Sequence, residues 1–225
     1  MKILITAGST HEHIDPVRYI TNASSGLQGI CIANEAIIDN YLCQNNEVVL
    51  ILGPNTTKHL LEDSPKITLI EVTSAEEMYE AAMKHFPSCD VAICSAAVGD
   101  YKVKNIATDK IKRNGDSIVI ELVPNPDIAK SLGEIKTNKQ MLIGFALETS
   151  NGIENAKSKI IKKNLDWVIL NETTLENPAF GSDTNKVTLI SKTGTIAYLP
   201  KMNKKDIAFE VIKLATDMLP IIHLT

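Results

Sequence analysis

Six short, nearly unbroken apolar runs punctuate this chain, at Lys2 to Ala7, Val48 to Leu52, Thr68 to Val72, Val91 to Ser95, Met141 to Ala146 and Trp167 to Leu170. A strand with one face in water alternates apolar and polar residues. A strand covered on both faces does not, so runs of this kind predict a parallel sheet buried under helices. The intervals fit that reading. Ile30 to Ile38 is apolar on several faces, and Ala75 to His85 follows Thr73-Ser74 with Glu76 and Glu77 in its first turn. Asn151 to Lys163 carries its lysines on one side, and Lys204 to Leu219 is a closing amphipathic helix. Such alternation predicts an α/β fold, one doubly wound, mostly parallel, Rossmann-like sheet with right-handed crossovers. Two stretches interrupt it. Ser117 to Val123 precedes the breaker Pro124-Asn125-Pro126, and Lys186 to Leu199 holds two strand-like runs around Lys192-Thr193-Gly194-Thr195. Both are expected as a hairpin or arm added outside the sheet. With no linker or repeat in 225 residues, a single domain over residues 1–225 is expected.

Charge and composition exclude several functions. Lys plus Arg number 23 against 27 Asp plus Glu, a net charge of −4, and aromatic residues are 4% of the chain. There is neither a basic field nor a stacking platform for nucleic acid. No apolar run approaches the roughly 18 residues of a membrane span. Cys31, Cys43, Cys89 and Cys94 show no C-x-x-C spacing and lie in or beside apolar runs, the pattern of reduced, buried thiols. A cytoplasmic protein is expected.

In an open α/β sheet the ligand lies beyond the carboxyl ends of the strands, and the loops there are unusual. The first strand exits through Thr6-Ala7-Gly8-Ser9-Thr10, small enough for close backbone approach but lacking a G-x-G-x-x-G fingerprint. Next comes Asp15-Pro16-Val17-Arg18-Tyr19-Ile20-Thr21-Asn22-Ala23-Ser24-Ser25-Gly26, immediately before a helix. Ser24, Ser25 and Gly26 alone read as an ordinary N-cap. With Arg18 and Asn22 in the same loop, they read as an anion site at a helix N-terminus. After the fourth strand, Cys94, Ser95 and Ala96 expose main-chain groups able to read a base edge, and Asp100 offers oxygens to a divalent cation. Lys110, Lys112 and Arg113 follow, the last two as solvated charges. Pro126, Asp127, Ile128 and Ala129 join a proline-fixed turn to a helix start, with Asp127 as N-cap. Phe145 reads as a core residue alone and as a stacking surface in this company. Lys159 and Lys163, four residues apart, share one helix face where they can converge on a polyphosphate, while Lys157 and Lys162 fit a solvated face. Together these loops form the inventory of a nucleotide site. A P-loop is absent, as is a Tyr followed four residues later by Lys. His11-Glu12-His13 lacks a third ligand for zinc.

In order and wording the loops resemble the phosphopantothenate–cysteine ligase (phosphopantothenoylcysteine synthetase) family of coenzyme A biosynthesis. The resemblance rests on Ile5-Thr6-Ala7-Gly8, Asp15-Pro16-Val17-Arg18-Tyr19-Ile20, Asn22 with Ser24-Ser25-Gly26, and Ala96-Ala97-Val98 with Asp100-Tyr101. It continues through Lys110-Ile111-Lys112, Asn125-Pro126-Asp127-Ile128, Gly144-Phe145-Ala146 with Glu148-Thr149, Lys163-Asn164-Leu165-Asp166, and Ser182-Asp183 with Asn185. It thins between Asp39 and Lys66 and beyond Ile190. The chain departs from the family pattern at Ser9 (usually Pro), Gly99 (often Ala), Leu147 (a second Ala) and Leu27 (frequently Lys); the last removes a possible phosphate cation.

The resemblance implies ligation of 4′-phosphopantothenate to L-cysteine, driven by CTP in bacterial members and ATP in eukaryotic ones, with Mg2+. An acyl-cytidylate and pyrophosphate form first, and the cysteine amine then displaces CMP. By similarity, Lys110, Lys159 and Lys163 bind the nucleotide and Asp100 lies at the triphosphate and metal. Cys94 to Ala96, Pro126 to Ala129 and Phe145 would surround the nucleoside. Asn22 would turn over the acyl-cytidylate, by polarising its carbonyl or placing the amine. Arg18, with Ser24, Ser25 and Gly26, would bind the phosphorylated substrate. The resemblance also implies a free-standing bacterial form and a homodimer whose arm reaches the other subunit's site, with Ser117 to Val123 and Lys186 to Leu199 both candidate arms. The competing readings are an NAD(P)-dependent oxidoreductase and a non-catalytic nucleotide-binding module.

Overall fold

The computed structural model describes residues 1–38, 45–54, 57–113, 115, 117–172 and 182–222, the last five by backbone only. Its centre is an eight-stranded sheet. In chain order the strands are β1 (Lys2–Ala7), β2 (Glu47–Leu52), β3 (Ile67–Glu71), β4 (Val91–Cys94), β5 (Met141–Glu148), β6 (Trp167–Glu172), β7 (Val187–Ser191) and β8 (Ile196–Tyr198). Across the sheet they run β3-β2-β1-β4-β5-β6-β7-β8. The first six are parallel, β7 is antiparallel to β6, and β8 is antiparallel to β7.

The apolar runs alternate not between core and water but between two cores. Ile3, Ile5, Val48, Leu50 and Ile143 face helices α1 (Leu27–Ile37) and α5 (Lys204–Ile222). Leu4, Val49, Ile51, Leu142 and Val168 face α2 (Ala75–His85), α3 (Ile128–Ile135) and α4 (Gly152–Lys163). The crossovers are therefore covered on both sides, as continuous hydrophobicity requires. Local signals agree with the outcome. Ser74 accepts from Glu77 N at 3.2 Å and Glu77 reaches back to the Ser74 N–H, a capping box contributing about 1 kcal/mol to α2. Asp127 caps α3 by accepting from Lys130 N at 3.1 Å.

One expectation is corrected. Lys186 to Leu199 is no excursion: β7 pairs antiparallel with β6 and carries β8 onto the sheet edge, and all of Val187–Ser191 is buried. Helix α4 and β6 leave an apolar edge that only another strand completes, and the turn falls at Gly194 with φ +95°. Ser117 to Val123, by contrast, does leave the sheet. Leu122–Pro124 pairs with Tyr101–Val103 in a separate two-stranded ribbon. A second small pairing, Glu12–His13 with Tyr19–Ile20, was not anticipated.

At the amino ends of the strands, buried Asp166 ties four segments together. It accepts from Leu142 N at 2.8 Å, from Lys136 Nζ at 2.7 Å and from Lys192 Nζ, while Lys136 also donates to Asn164 O at 2.8 Å. This strut fixes β5, β6, α3 and the β7–β8 turn, and so holds the far ends of the strands in register.

Candidate active site

The chain moves from β1 toward β2 and later returns to β4, which lies on the other side of β1. That reversal opens a crevice at the carboxyl ends of β1 and β4. Main-chain bonds close its floor: Ser95 N donates to Thr6 O at 3.1 Å and Ala97 N to Gly8 O at 2.8 Å. Ser95 Oγ adds a 2.6 Å bond to Thr6 O. Gly29 lets α1 descend onto this floor, since a Cβ there would stand 2.3 Å from the Ala7 Cβ. The resulting cleft encloses about 620 Å³, within the usual range for a small-molecule site.

Asn22, Ser24, Ser25, Gly26, Cys94, Ser95, Ala96 and Asp100 all line this cleft, as do Pro126, Asp127, Ile128, Ala129, Phe145, Lys159 and Lys163. Residues drawn from five separate segments of the chain thus meet in one place. Asn22 Nδ2 donates to Ala97 O at 3.1 Å and Val98 O at 3.2 Å. This orients the amide and leaves its Oδ1 as the open acceptor among the described residues. Gly26 adopts φ +77° where the chain turns into α1, with Ser24 Oγ accepting from Gly26 N and Ser25 Oγ from Leu27 N.

The lysines of α4 divide as their spacing predicts. Lys157 and Lys162 are exposed, whereas Lys159 and Lys163 turn into the cleft. Lys159 pairs with Glu148 at 2.5 Å and Lys163 with Asp127 at 2.9 Å. Burial would raise the Glu148 carboxyl, but hydrogen bonds from Lys159 and Asn155 outweigh it and hold it below the usual carboxylate value. Asn125 Nδ2 donates to Gly99 O at 2.8 Å, and its Oδ1 is buried with no donor. Burial pushes the Cys94 thiol up to about 12, so it is a neutral wall group and not a nucleophile.

Two expected residues lie elsewhere. Arg18 is clamped to Asp15 at 2.5 Å and donates to Ile111 O at 3.0 Å, while Asp15 accepts from Ile111 N at 3.1 Å. The Arg18 guanidinium holds the Asp15 carboxyl well below the usual range, against burial and with help from three backbone N–H groups. The same clamp holds the segment carrying Lys110 against this turn, and Lys110 is exposed outside this chain's cleft. Lys112 and Arg113 are exposed, as solvated charges are. His11 stacks on Tyr19 with ring centroids 3.7 Å apart, and buried Glu12 accepts from Ala75 N at the start of α2. Among the described residues no cluster of His, Cys, Asp or Glu suits a metal held by protein alone, and no helix is long and apolar enough to cross a membrane. Cys31 and Cys89 are buried free thiols, and Cys43 lies outside the described residues.

The polar residues of the wall that the sequence does not mark as ligands include Gln28, Asn171, Asn185 and Lys204. An Asn closing an apolar run reads as a strand end, and a Lys opening a helix reads as a solvated charge. Only Asn185, within the family wording, left any signal.

Comparison with known proteins places this geometry. Residues 1–218 match the DNA/pantothenate metabolism flavoprotein C-terminal domain family. The chain is 42% identical over 212 residues to a protein named cysteine/cysteine sulfinic acid decarboxylase from an unknown prokaryotic organism, covering 94% of this chain and 57% of that one. It is 42% identical over 216 residues to the coenzyme A biosynthesis bifunctional protein CoaBC of Borreliella burgdorferi, covering 95% of this chain and 52% of that one. The chain thus spans about half the length of the curated relatives it matches. The crystal structure of a CoaBC C-terminal domain superimposes with TM-score 0.79 at 40% identity, covering 98% of this chain and 96% of that one. A Cab2 variant in complex with phosphopantothenate-cysteine shares the fold, with TM-score 0.74 at 18% identity over 100% of this chain and 89% of that one. The chain belongs to the DNA/pantothenate metabolism flavoprotein C-terminal domain family, the family of the CoaBC C-terminal domain.

Proposed function

We propose that this chain is a phosphopantothenate–cysteine ligase, which activates 4′-phosphopantothenate with CTP and passes the acyl group to L-cysteine. The observation that carries the reading is the convergence of Asn22, Asp100, Lys159, Lys163 and the open start of α1 on one cleft at the strand-order reversal. Attack of a carboxylate on a triphosphate brings like charges together. Each unit pair at 4 Å costs about 1 kcal/mol in water and about 4 kcal/mol at the effective dielectric of a partly dry cleft. Cations on the wall offset that repulsion. Lys159 and Lys163 are held in place by Glu148 and Asp127, and an arriving triphosphate competes with those carboxylates for them.

The residues present fit Mg2+. Exposed Asp100 offers hard carboxylate oxygens at the cleft wall, and Asn125, whose Oδ1 is buried without a donor, lines the cleft with it; Mg2+ is commonly held by one or two carboxylates plus substrate phosphates. When bound, it would neutralise phosphate charge. Phe145 and Pro126 to Ala129 offer the apolar and main-chain surface for the nucleoside. Because both protons of the Asn22 amide are directed to carbonyls, its Oδ1 is suited to accept from the cysteine amine. Placing the amine is thus the role its geometry favours over polarising the acyl carbonyl.

A homodimer accords with the same reading. Val17, Tyr101, Ile106 and Ile118 are more than half exposed, and Val119 is 93% exposed. They lie on the Asp15–Arg18 turn and on the ribbon with its connecting segment. Of the two candidate arms, Ser117 to Val123 presents this apolar surface, whereas Lys186 to Leu199 is consumed by the sheet. Lys110 lies on the segment joining the ribbon strands, placed to act from the arm. The cytoplasm suits these substrates and the reduced cysteines.

The test is pyrophosphate release. The ligase requires both CTP and 4′-phosphopantothenate for release, and adding cysteine yields a product whose mass contains both acid and amino acid. Cysteine-dependent release of carbon dioxide would favour a decarboxylase. Absorbance change at the nicotinamide band would favour an oxidoreductase, and silence throughout would favour a binding module.

A further inference from the structure

The crevice opens where the pairing of β1 with β4 runs out. Ser95 N donates to Thr6 O and Ala97 N to Gly8 O, so the next rung of this parallel ladder would join Gly99 N to the Thr10 carbonyl. Gly99 N donates instead to the Thr10 hydroxyl, at 3.0 Å. A side chain has replaced the main chain at the point where the two segments splay. The carbonyls that follow are satisfied from outside the loop as well. Asn22 Nδ2 donates to Ala97 O and Val98 O, Asn125 Nδ2 donates to Gly99 O at 2.8 Å, and Asn125 N donates to Asp100 O at 2.9 Å. Four consecutive carbonyls, from Ala97 to Asp100, are thus each met by a donor, three of them by side-chain amides.

The supports of this loop are firm where Asn22 is not. Thr10 is fully buried. On one side of it Ser9 O packs so closely on Gly53 that a Cβ there would stand 1.9 Å away, and on the other His11 N donates to Thr73 O at 2.8 Å. Asn125 is half-buried between the ribbon strand Leu122–Pro124 and the start of α3. Asn22 is exposed, and among the described residues its amide bonds only to the carbonyls of Ala97 and Val98. Its direction is therefore only as fixed as those carbonyls are. We propose that Thr10 and Asn125 are positioning residues: by holding the Gly99 peptide at its N–H and at its carbonyl, they set the carbonyl row that orients Asn22 in the cleft. The role rests on the ligase reading, under which Asn22 places the cysteine amine for acyl transfer.

Paired substitutions separate the hydroxyl from the packing. Thr10→Val keeps the volume and removes the acceptor for Gly99 N, whereas Thr10→Ser keeps the acceptor and removes a methyl; Asn125→Ala removes the donor to Gly99 O. With CTP, 4′-phosphopantothenate and cysteine supplied, Thr10→Val and Asn125→Ala should form product roughly tenfold to hundredfold more slowly, the scale of a misplacement of about 1 Å. Acyl-cytidylate should accumulate in both, read by mass spectrometry, because the step that fails is the one Asn22 serves. Thr10→Ser should restore most of the rate and trap no intermediate. Hydrogen exchange reads the bracket without turnover: the Gly99 amide should be protected in wild type and in Thr10→Ser and exchange quickly in Thr10→Val. Wild-type turnover in folded Thr10→Val, or slowed turnover without trapped acyl-cytidylate, overturns the proposal, and Asn125→Ala decides by the same criteria should the threonine variant not fold. Rates across the Thr10 variants that follow melting temperature and not the hydroxyl overturn it too. A wild-type protein that releases no pyrophosphate sinks the ligase reading and this role with it, whereas an active wild type with indifferent variants sinks the positioning role alone.

Discussion

Asp166→Asn removes one charge from the strut beneath the sheet while keeping volume and an acceptor for Leu142 N. What it strands is Lys136, whose side chain is 6% exposed and pairs with Asp166 at 2.7 Å. Removing one member of a buried pair typically costs 3–5 kcal/mol, because an uncompensated charge stays buried. The retained Leu142 bond and the remaining Lys136 bond to Asn164 O place the expected loss at the lower end, about 3 kcal/mol. Lys192, half in water, adds little. For a domain of this size each kcal/mol moves the midpoint by about 2–4 °C, so thermal unfolding followed by circular dichroism should show a fall of about 6–12 °C. The deficit also has a pH signature. Burial already lowers the Lys136 pKa, partly restored by Asp166. Without that carboxylate, the folded state holds the Lys136 proton still less firmly than the unfolded state. Stability of the variant relative to wild type should therefore recover as pH rises toward the alkaline range. Adding Lys136→Met should recover part of the loss at neutral pH. A midpoint shift below about 2 °C, or a deficit that does not shrink in alkali, would refute the assignment of Asp166 as partner to a buried charge.

Other substitutions probe the cleft and its margins. Asn22→Asp turns a donor against the Ala97 and Val98 carbonyls into an acceptor; the ligase reading expects loss of turnover with an acyl-cytidylate detectable by mass spectrometry. Lys110→Gln should instead suppress acyl-cytidylate formation, and pyrophosphate release equal to wild type would remove Lys110 from the mechanism. Gly29→Ala drives a methyl into Ala7 and the Ser95 hydroxyl, so nucleotide affinity should fall together with the melting temperature; retention of both would mean α1 can lift freely. The depressed Asp15 pKa stabilises the fold fully above the ordinary carboxylate value near 4 and is lost only as pH falls toward the folded value. Asp15→Asn should therefore flatten the acid limb of a stability–pH curve, and an unchanged limb would contradict the clamp.

The six parallel strands were legible because burial on both faces leaves a mark that survives in any short window of sequence. The closing hairpin was misplaced because five buried residues on an antiparallel edge look the same as those of a free arm, and only the apolar flank of β6 decides between them. At the site, Lys159 and Lys163 were separable from Lys157 and Lys162 by helical spacing, which fixes direction within one element. Lys204 and Asn171 were not, because their burial depends on where α5 and β6 end relative to α1, a relation between elements far apart in the chain. Arg18 and Lys110 show the converse. Their chemistry was readable, but the Asp15 clamp that holds them aside depends on a contact between residues 18 and 111.

The most direct test is a crystal structure of the protein with Mg2+ and a non-hydrolysable CTP analogue. The expected result is a base beside Phe145 and Pro126 to Ala129, with phosphates between the α4 lysines and the start of α1 and Lys159 or Lys163 released from its carboxylate. A nucleotide bound outside the β1/β4 crevice, with both ion pairs intact, would contradict the proposed role of the cleft.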